Sequence, residues 1–68
     1  MDYYEYVIAS KDMKEIVVSV KMDYSLKSKP IDKAHPRFFF SDWGAQNVLD
    51  RASNKEGFIV KPVKMRNL

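Results

Sequence analysis

The chain has one histidine, His35, and no cysteine, so the side chains most used for proton transfer and nucleophilic attack reduce to a single imidazole. His35 lies between Ala34 and Pro36 with no nucleophile arranged beside it, which reads as an exposed loop residue rather than an acid or base. The nine carboxylates are spread singly along the chain, with no pair at metal-ligand spacing. Without cysteine there is no disulfide framework, Cys/His zinc site or thiol nucleophile. Gly44 and Gly57 are the only glycines, and neither belongs to a glycine-rich phosphate loop. The expectation is a protein that is not an enzyme and uses neither a metal nor a cofactor.

Binding chemistry has more to work with. Lys27, Lys29, Lys33, His35 and Arg37 form a basic run, and Lys61, Lys64 and Arg66 form a second cluster. The chain carries 12 Lys and Arg against 9 Asp and Glu, a formal net charge of +3, and a sequence pI near 9.3. That is a mild excess, so its distribution matters more than its sum. If the two clusters fold beside each other they make one positive edge suited to nucleic-acid phosphates. Lysines of this kind also serve as guards on sheet edges, which needs no ligand.

Trp43 is the residue that packing explains least. At about 100° per residue it falls opposite the apolar stripe of the helix that contains it, in company with Asn47, Asp50 and Asn54. Two destinations are open to its ring. It can swing over Phe39 or the basic segment and complete the edge of the core, or stand exposed as an anchor for a partner. Gly44 beside it costs roughly 1 kcal/mol against alanine inside a helix, so something is expected to approach the backbone there.

These residues must be positioned by a short chain. Its 68 residues make one domain, 1–68, able to bury only about 60% of the surface that the unfolded chain exposes. No apolar run approaches the ~20 residues of a membrane span, and MDYYEY lacks the features of a signal peptide. A cytoplasmic location follows as the default. Compact, basic, cysteine-free chains are a common product type of phage and mobile elements, which this chain resembles in type and on no motif.

Tyr3 to Ala9 is rich in aromatic and β-branched residues and predicts a strand with Tyr4, Tyr6 and Ile8 on one face. Ser10 to Lys14 is polar apart from Met13 and predicts a loose turn. Glu15 to Tyr24 alternates strictly, Ile16, Val18, Val20, Met22 and Tyr24 against Glu15, Val17, Ser19, Lys21 and Asp23. That pattern predicts a ten-residue strand with its first set buried, antiparallel to the first strand. Ser25 to Pro36 holds two prolines and three lysines and predicts a long basic loop.

The stretch from Arg37 to Met65 organises the rest. Arg37 to Phe40 predicts a short strand with Phe38 and Phe40 on one face and Phe39 on the other. Ser41 is a natural N-cap and Asp42 suits the first turn. Ala45, Val48, Leu49 and Ala52 form the apolar stripe of the helix that follows. Asn54 and Gly57 supply stop signals. Gly57 to Met65 predicts a last strand, at an edge because Pro62 cannot donate to a ladder. The fold class is therefore α+β, a ββ(β)αβ order with the helix on one face of a three- or four-stranded sheet.

On this layout the uncovered face of the sheet carries Tyr3, Val7, Val17, Lys21 and Phe39. The leading expectation is a small protein-binding module of regulator or inhibitor type that presents Trp43, Asn47, Asp50, Tyr3 and Phe39 to a protein partner or to a second copy of the chain as a homodimer. The alternative is nucleic-acid binding through Lys27, Lys29, Lys33, Arg37, Lys61, Lys64 and Arg66.

Overall fold

A computed structural model describes residues 4–64. Four strands and one helix follow in the order β1 (Tyr4–Ser10), β2 (Glu15–Val20), β3 (Leu26–Pro30), α1 (Asp42–Arg51) and β4 (Phe58–Lys64). The strands form one antiparallel sheet in the spatial order β3-β2-β1-β4, and the helix packs on it. This is the α+β architecture that the periodicities predict.

The β1–β2 hairpin is built on Ser10. Its hydroxyl accepts from the amides of Lys14 (3.2 Å) and Glu15 (2.9 Å) and donates to Asp12 Oδ1 at 2.6 Å. Met13 adopts a left-handed φ of 61° to complete the loop. Beyond the pair Ala9 and Ile16, another segment enters between the two strands. The amide of Arg37 donates to the Val17 carbonyl of β2 at 3.0 Å, and Phe39 exchanges hydrogen bonds of 2.8 and 2.9 Å with Tyr6 of β1. The expected strand at Arg37 to Phe40 is thus a single bridge at Phe39, because only that residue meets a strand with both groups unpaired.

The same bridge explains Pro62. Tyr6 uses its amide and carbonyl on Phe39, and in an antiparallel ladder both groups of a residue point the same way. Its partner on β4 is Pro62, whose backbone therefore faces the outer edge, where a missing donor costs nothing. Pro30 similarly stands on the opposite edge strand, β3.

Three predictions about the middle of the chain are corrected. First, β2 ends at Val20 rather than Tyr24. The Asp23 carboxylate accepts from the Ser25 amide (3.0 Å) and hydroxyl (2.6 Å), and Tyr24 takes a φ of 66°, so an Asx turn interrupts the alternation. Second, Leu26–Pro30, expected in a loop, is a strand. Leu26 is its one buried side chain, while Lys27 and Lys29 are exposed, a composition suited to an edge.

Third, Val17 is fully buried rather than on the uncovered face. The register shifts between Val17 and Ser19, which pair with Ser28 and Lys27. Val18 is the extra residue of this bulge. It turns both Val17 and Val20 toward the helix, while Ile16 stays on the other face.

The main core lies under the helix and joins Ile8, Val17, Leu26, Phe39, Ala45, Leu49 and Ala52. The predicted helical stripe is thereby confirmed. A smaller cluster of Val7, Ala9 and Ile16 occupies the opposite face, where Ile31 and Ala34 pack on it. The segment after β3 thus partly covers the face expected to be open.

Candidate functional site

The helix begins at Ser41, whose extended backbone (φ −141°, ψ 152°) and side-chain oxygen cap the amide of Gly44 at 3.1 Å. A Cβ on Gly44 would lie 2.8 Å from that oxygen. The close neighbour expected at Gly44 is therefore the cap itself. Asp42 in the first turn and Arg51 in the last both complement the helix dipole.

This cap aims two aromatic side chains at solvent. Phe40, immediately before it, is 92% exposed, and Trp43, just after it, is 75% exposed. The ring of Trp43 does not complete the core. Asn47 and Asp50 follow on the exposed side of the helix, with Asp50 accepting a 2.9 Å hydrogen bond from Gln46 Nε2. Phe38 and Tyr4 are each about half exposed. The antiparallel bridge of Tyr6 with Phe39 runs Tyr4 toward the same end of the molecule.

Phe39, expected with Trp43 in a partner-binding set, is a core residue at 8% exposure. The alternation of Phe38, Phe39 and Phe40 was legible, but the faces are exchanged: bridging to Tyr6 directs the middle ring under the helix. Phe40 is accordingly the residue that sequence reasoning missed. Tyr3 lies outside the described residues.

The basic residues do not form one edge. Lys27 and Lys29 stand on β3 and Lys61 on β4, the two outer strands of a four-stranded sheet, three strand spacings or roughly 14 Å apart. Lys33 is exposed in the segment after β3. Lys64 ends β4, and Arg66 lies outside the described residues. Arg37 alone joins a different constellation, its guanidinium sitting 5.2 Å from the centre of the Phe39 ring in a cation–π contact.

That constellation is a groove between the β2–β3 turn and the outer side of the helix, about 360 Å³ in volume. Lys21, Met22 and Tyr24 contribute from the turn, Asn47 and Arg51 from the helix, and Arg37 from the segment that enters the sheet. No carboxylate lines it. Asp23, in the same turn, is folded back on Ser25, which holds its carboxyl below the ordinary value, chiefly through the Ser25 hydroxyl. The groove joins residues up to 31 positions apart, Val20 and Arg51, so no local motif announces it.

Asn54 closes one more gap. Its side-chain oxygen accepts from the Leu26 amide at 2.7 Å and its nitrogen donates to the Leu26 carbonyl at 3.0 Å. One carboxamide thus satisfies both outward groups of the first residue of edge strand β3.

Among the described residues no three His, Asp or Glu side chains are grouped to hold a metal ion, and no helix is long and apolar enough to cross a membrane. In comparison with known proteins, no family model, curated protein or solved structure matches the chain.

Proposed function

We propose that this protein is a small, non-enzymatic, cytoplasmic protein-binding module of regulator or inhibitor type, and that a second copy of the chain is one occupant of its binding surface. The observation that supports this reading is the exposure of Phe40 and Trp43 on either side of the Ser41 cap. Aromatic side chains carry 150–250 Å² each, so these two present on the order of 350 Å² of apolar surface. That is the size of the largest apolar patch on a typical monomer, and such patches mark interaction sites. Their backbone is held by a capped helix, which limits the ordering entropy lost on association. A core drawn from 68 residues gains from a second subunit.

Trp43→Ala tests the reading. With a quarter of the ring buried, truncation removes about 60 Å² from the core, or about 1.5 kcal/mol, part of which the better helix propensity of alanine restores. Phe39→Ala, in the core, serves as the contrast at about 3–5 kcal/mol. Analytical ultracentrifugation should show concentration-dependent dimers of the native chain and monomers of Trp43→Ala and Phe40→Ala, with a Tm lower by roughly 4–8 °C in the first and nearly native in the second. Loss of several kcal/mol from Trp43→Ala with the oligomeric state unchanged would refute the proposal.

A further inference from the structure

The groove beside the β2–β3 turn has a chemistry that differs from the aromatic surface at the helix start. Three cations, Lys21, Arg37 and Arg51, line it without any carboxylate. Asp23 and Asp50, each next in sequence to a lining residue, hydrogen-bond Ser25 and Gln46 and stand outside the lining. An anionic ligand therefore meets attraction with no opposing charge in the lining.

The apolar part of the lining narrows the class of anion. Tyr24 is 53% exposed, and Met22 is fully so. Tyr24 holds a φ of 66°, a left-handed conformation that a bulky side chain adopts at a cost. The turn keeps it there through the hydrogen bond from the Tyr24 amide to the Lys21 carbonyl at 2.9 Å and the Asp23 contacts to Ser25. The volume of about 360 Å³ lies within the range of small-ligand sites. A plain polyphosphate has no use for an aromatic ring and a thioether, and an acidic peptide brings a flat π face only where it holds an aromatic residue. Single-stranded nucleic acid presents both phosphates and unstacked bases, the pairing that basic grooves with aromatic platforms recognise.

We infer that this groove binds single-stranded nucleic acid, with Lys21, Arg37 and Arg51 facing phosphates and Tyr24 stacking on a base. The site draws on Lys21, Tyr24 and Arg51 in place of the lysines of the two outer strands. It shares Asn47 with the helix surface that carries Trp43 but includes neither the Phe40 nor the Trp43 ring.

Fluorescence anisotropy with labelled ~10-nucleotide oligo-U and oligo-dT, titrated from ~50 mM salt upward, tests it. Three phosphate contacts predict a slope of log K on log salt near −2. The double variant Lys21→Ala/Arg51→Ala should bring that slope toward about −0.7. Tyr24→Asn keeps a residue that tolerates the left-handed backbone while removing the ring, and should weaken binding by about fivefold or more. Circular dichroism establishes that each variant is folded, and Trp43→Ala should bind as the native chain does. Absence of binding at ~50 mM salt overturns the inference. So does binding that survives both groove changes, or that is lost through Lys27→Ala/Lys29→Ala instead. Self-association is read separately, so either proposal can fail while the other stands.

Discussion

Replacing Asn54 by alanine should destabilise the fold far more than an exposed side chain ordinarily would. The carboxamide makes two hydrogen bonds, of 2.7 and 3.0 Å, to the backbone of Leu26, 28 residues away. Leu26 is itself buried in the main core, so its backbone groups are only partly open to replacement water. At about 1 kcal/mol net for each bond, Asn54→Ala should cost about 2 kcal/mol. In a domain of this size that corresponds to a fall in Tm of roughly 8–16 °C. Asn54→Asp separates the two bonds. At neutral pH it keeps the acceptor for the Leu26 amide but sets a carboxylate oxygen against the Leu26 carbonyl, so the deficit should persist. In acid the protonated carboxyl regains a donor, and the deficit relative to the native chain should shrink. Thermal and urea unfolding followed by circular dichroism measures all three proteins. A stability for Asn54→Ala within about 0.5 kcal/mol of native would refute the assignment of Asn54 as the closure of the β3 edge.

Two further outcomes follow from local geometry. Ser41→Ala should cost about 1 kcal/mol as a lost N-cap, while Gly44→Ala should be near neutral, its propensity gain of about 1 kcal/mol offset by displacing the Ser41 oxygen 2.8 Å away. In the Ser41→Ala background the same Gly44→Ala change should stabilise by about 1 kcal/mol, and strict additivity in this cycle would show that the two residues are not coupled. The carboxyls of Asp12 and Asp23 are held below their ordinary value of 3.8, first by the hydroxyls of Ser10 and Ser25 and then by the amides of Lys14 and Ser25. Their contribution to stability is therefore complete above that value and lost as pH falls through the lower folded-state values. Ser25→Ala should return the Asp23 titration, followed by NMR, toward its ordinary value, and an unmoved titration would remove the hydroxyl as its cause.

The parts of this fold that were legible in the sequence are those set by residues close together in the chain. The Ala45–Ala52 stripe, the Ser41 cap, the first hairpin and the edge position of the strand with Pro62 each follow from a period or a single residue type. What escaped depends on pairing across distance. Leu26–Pro30 offers one buried side chain, too few for a period, and becomes a strand because β2 provides a partner and Asn54 seals its outer side. The bulge at Val18 left the alternation of β2 intact as a string of letters while separating Ile16 from Val20, which the alternation puts on one face, and joining Val17 to Val20. Phe39 was placed on the wrong face because the side of its bridge with Tyr6 cannot be read from three consecutive phenylalanines. The basic groove was hidden for the same reason: Lys21 and Arg51 meet only after the sheet and the helix have assembled.

The strand order β3-β2-β1-β4 also has a consequence for how the chain reaches this state. Among the described strands β1 comes first in the sequence and lies centrally, and its long ladder, Tyr4 opposite Lys64 through Ser10 opposite Phe58, is made with β4, the most distant of them in sequence. Its other side pairs with β2 at Ala9 and Ile16 and with Phe39 at Tyr6. One flank of the Tyr-rich strand Tyr4–Ser10 therefore has no native partner until Phe58–Lys64 is available. Closing the largest loop last makes folding slow relative to chains of local contacts. It also leaves an apolar strand edge open in the nascent or C-terminally shortened chain, the kind of edge that nucleates aggregation. Shortening β4 should thus affect solubility before it affects any surface the native protein presents.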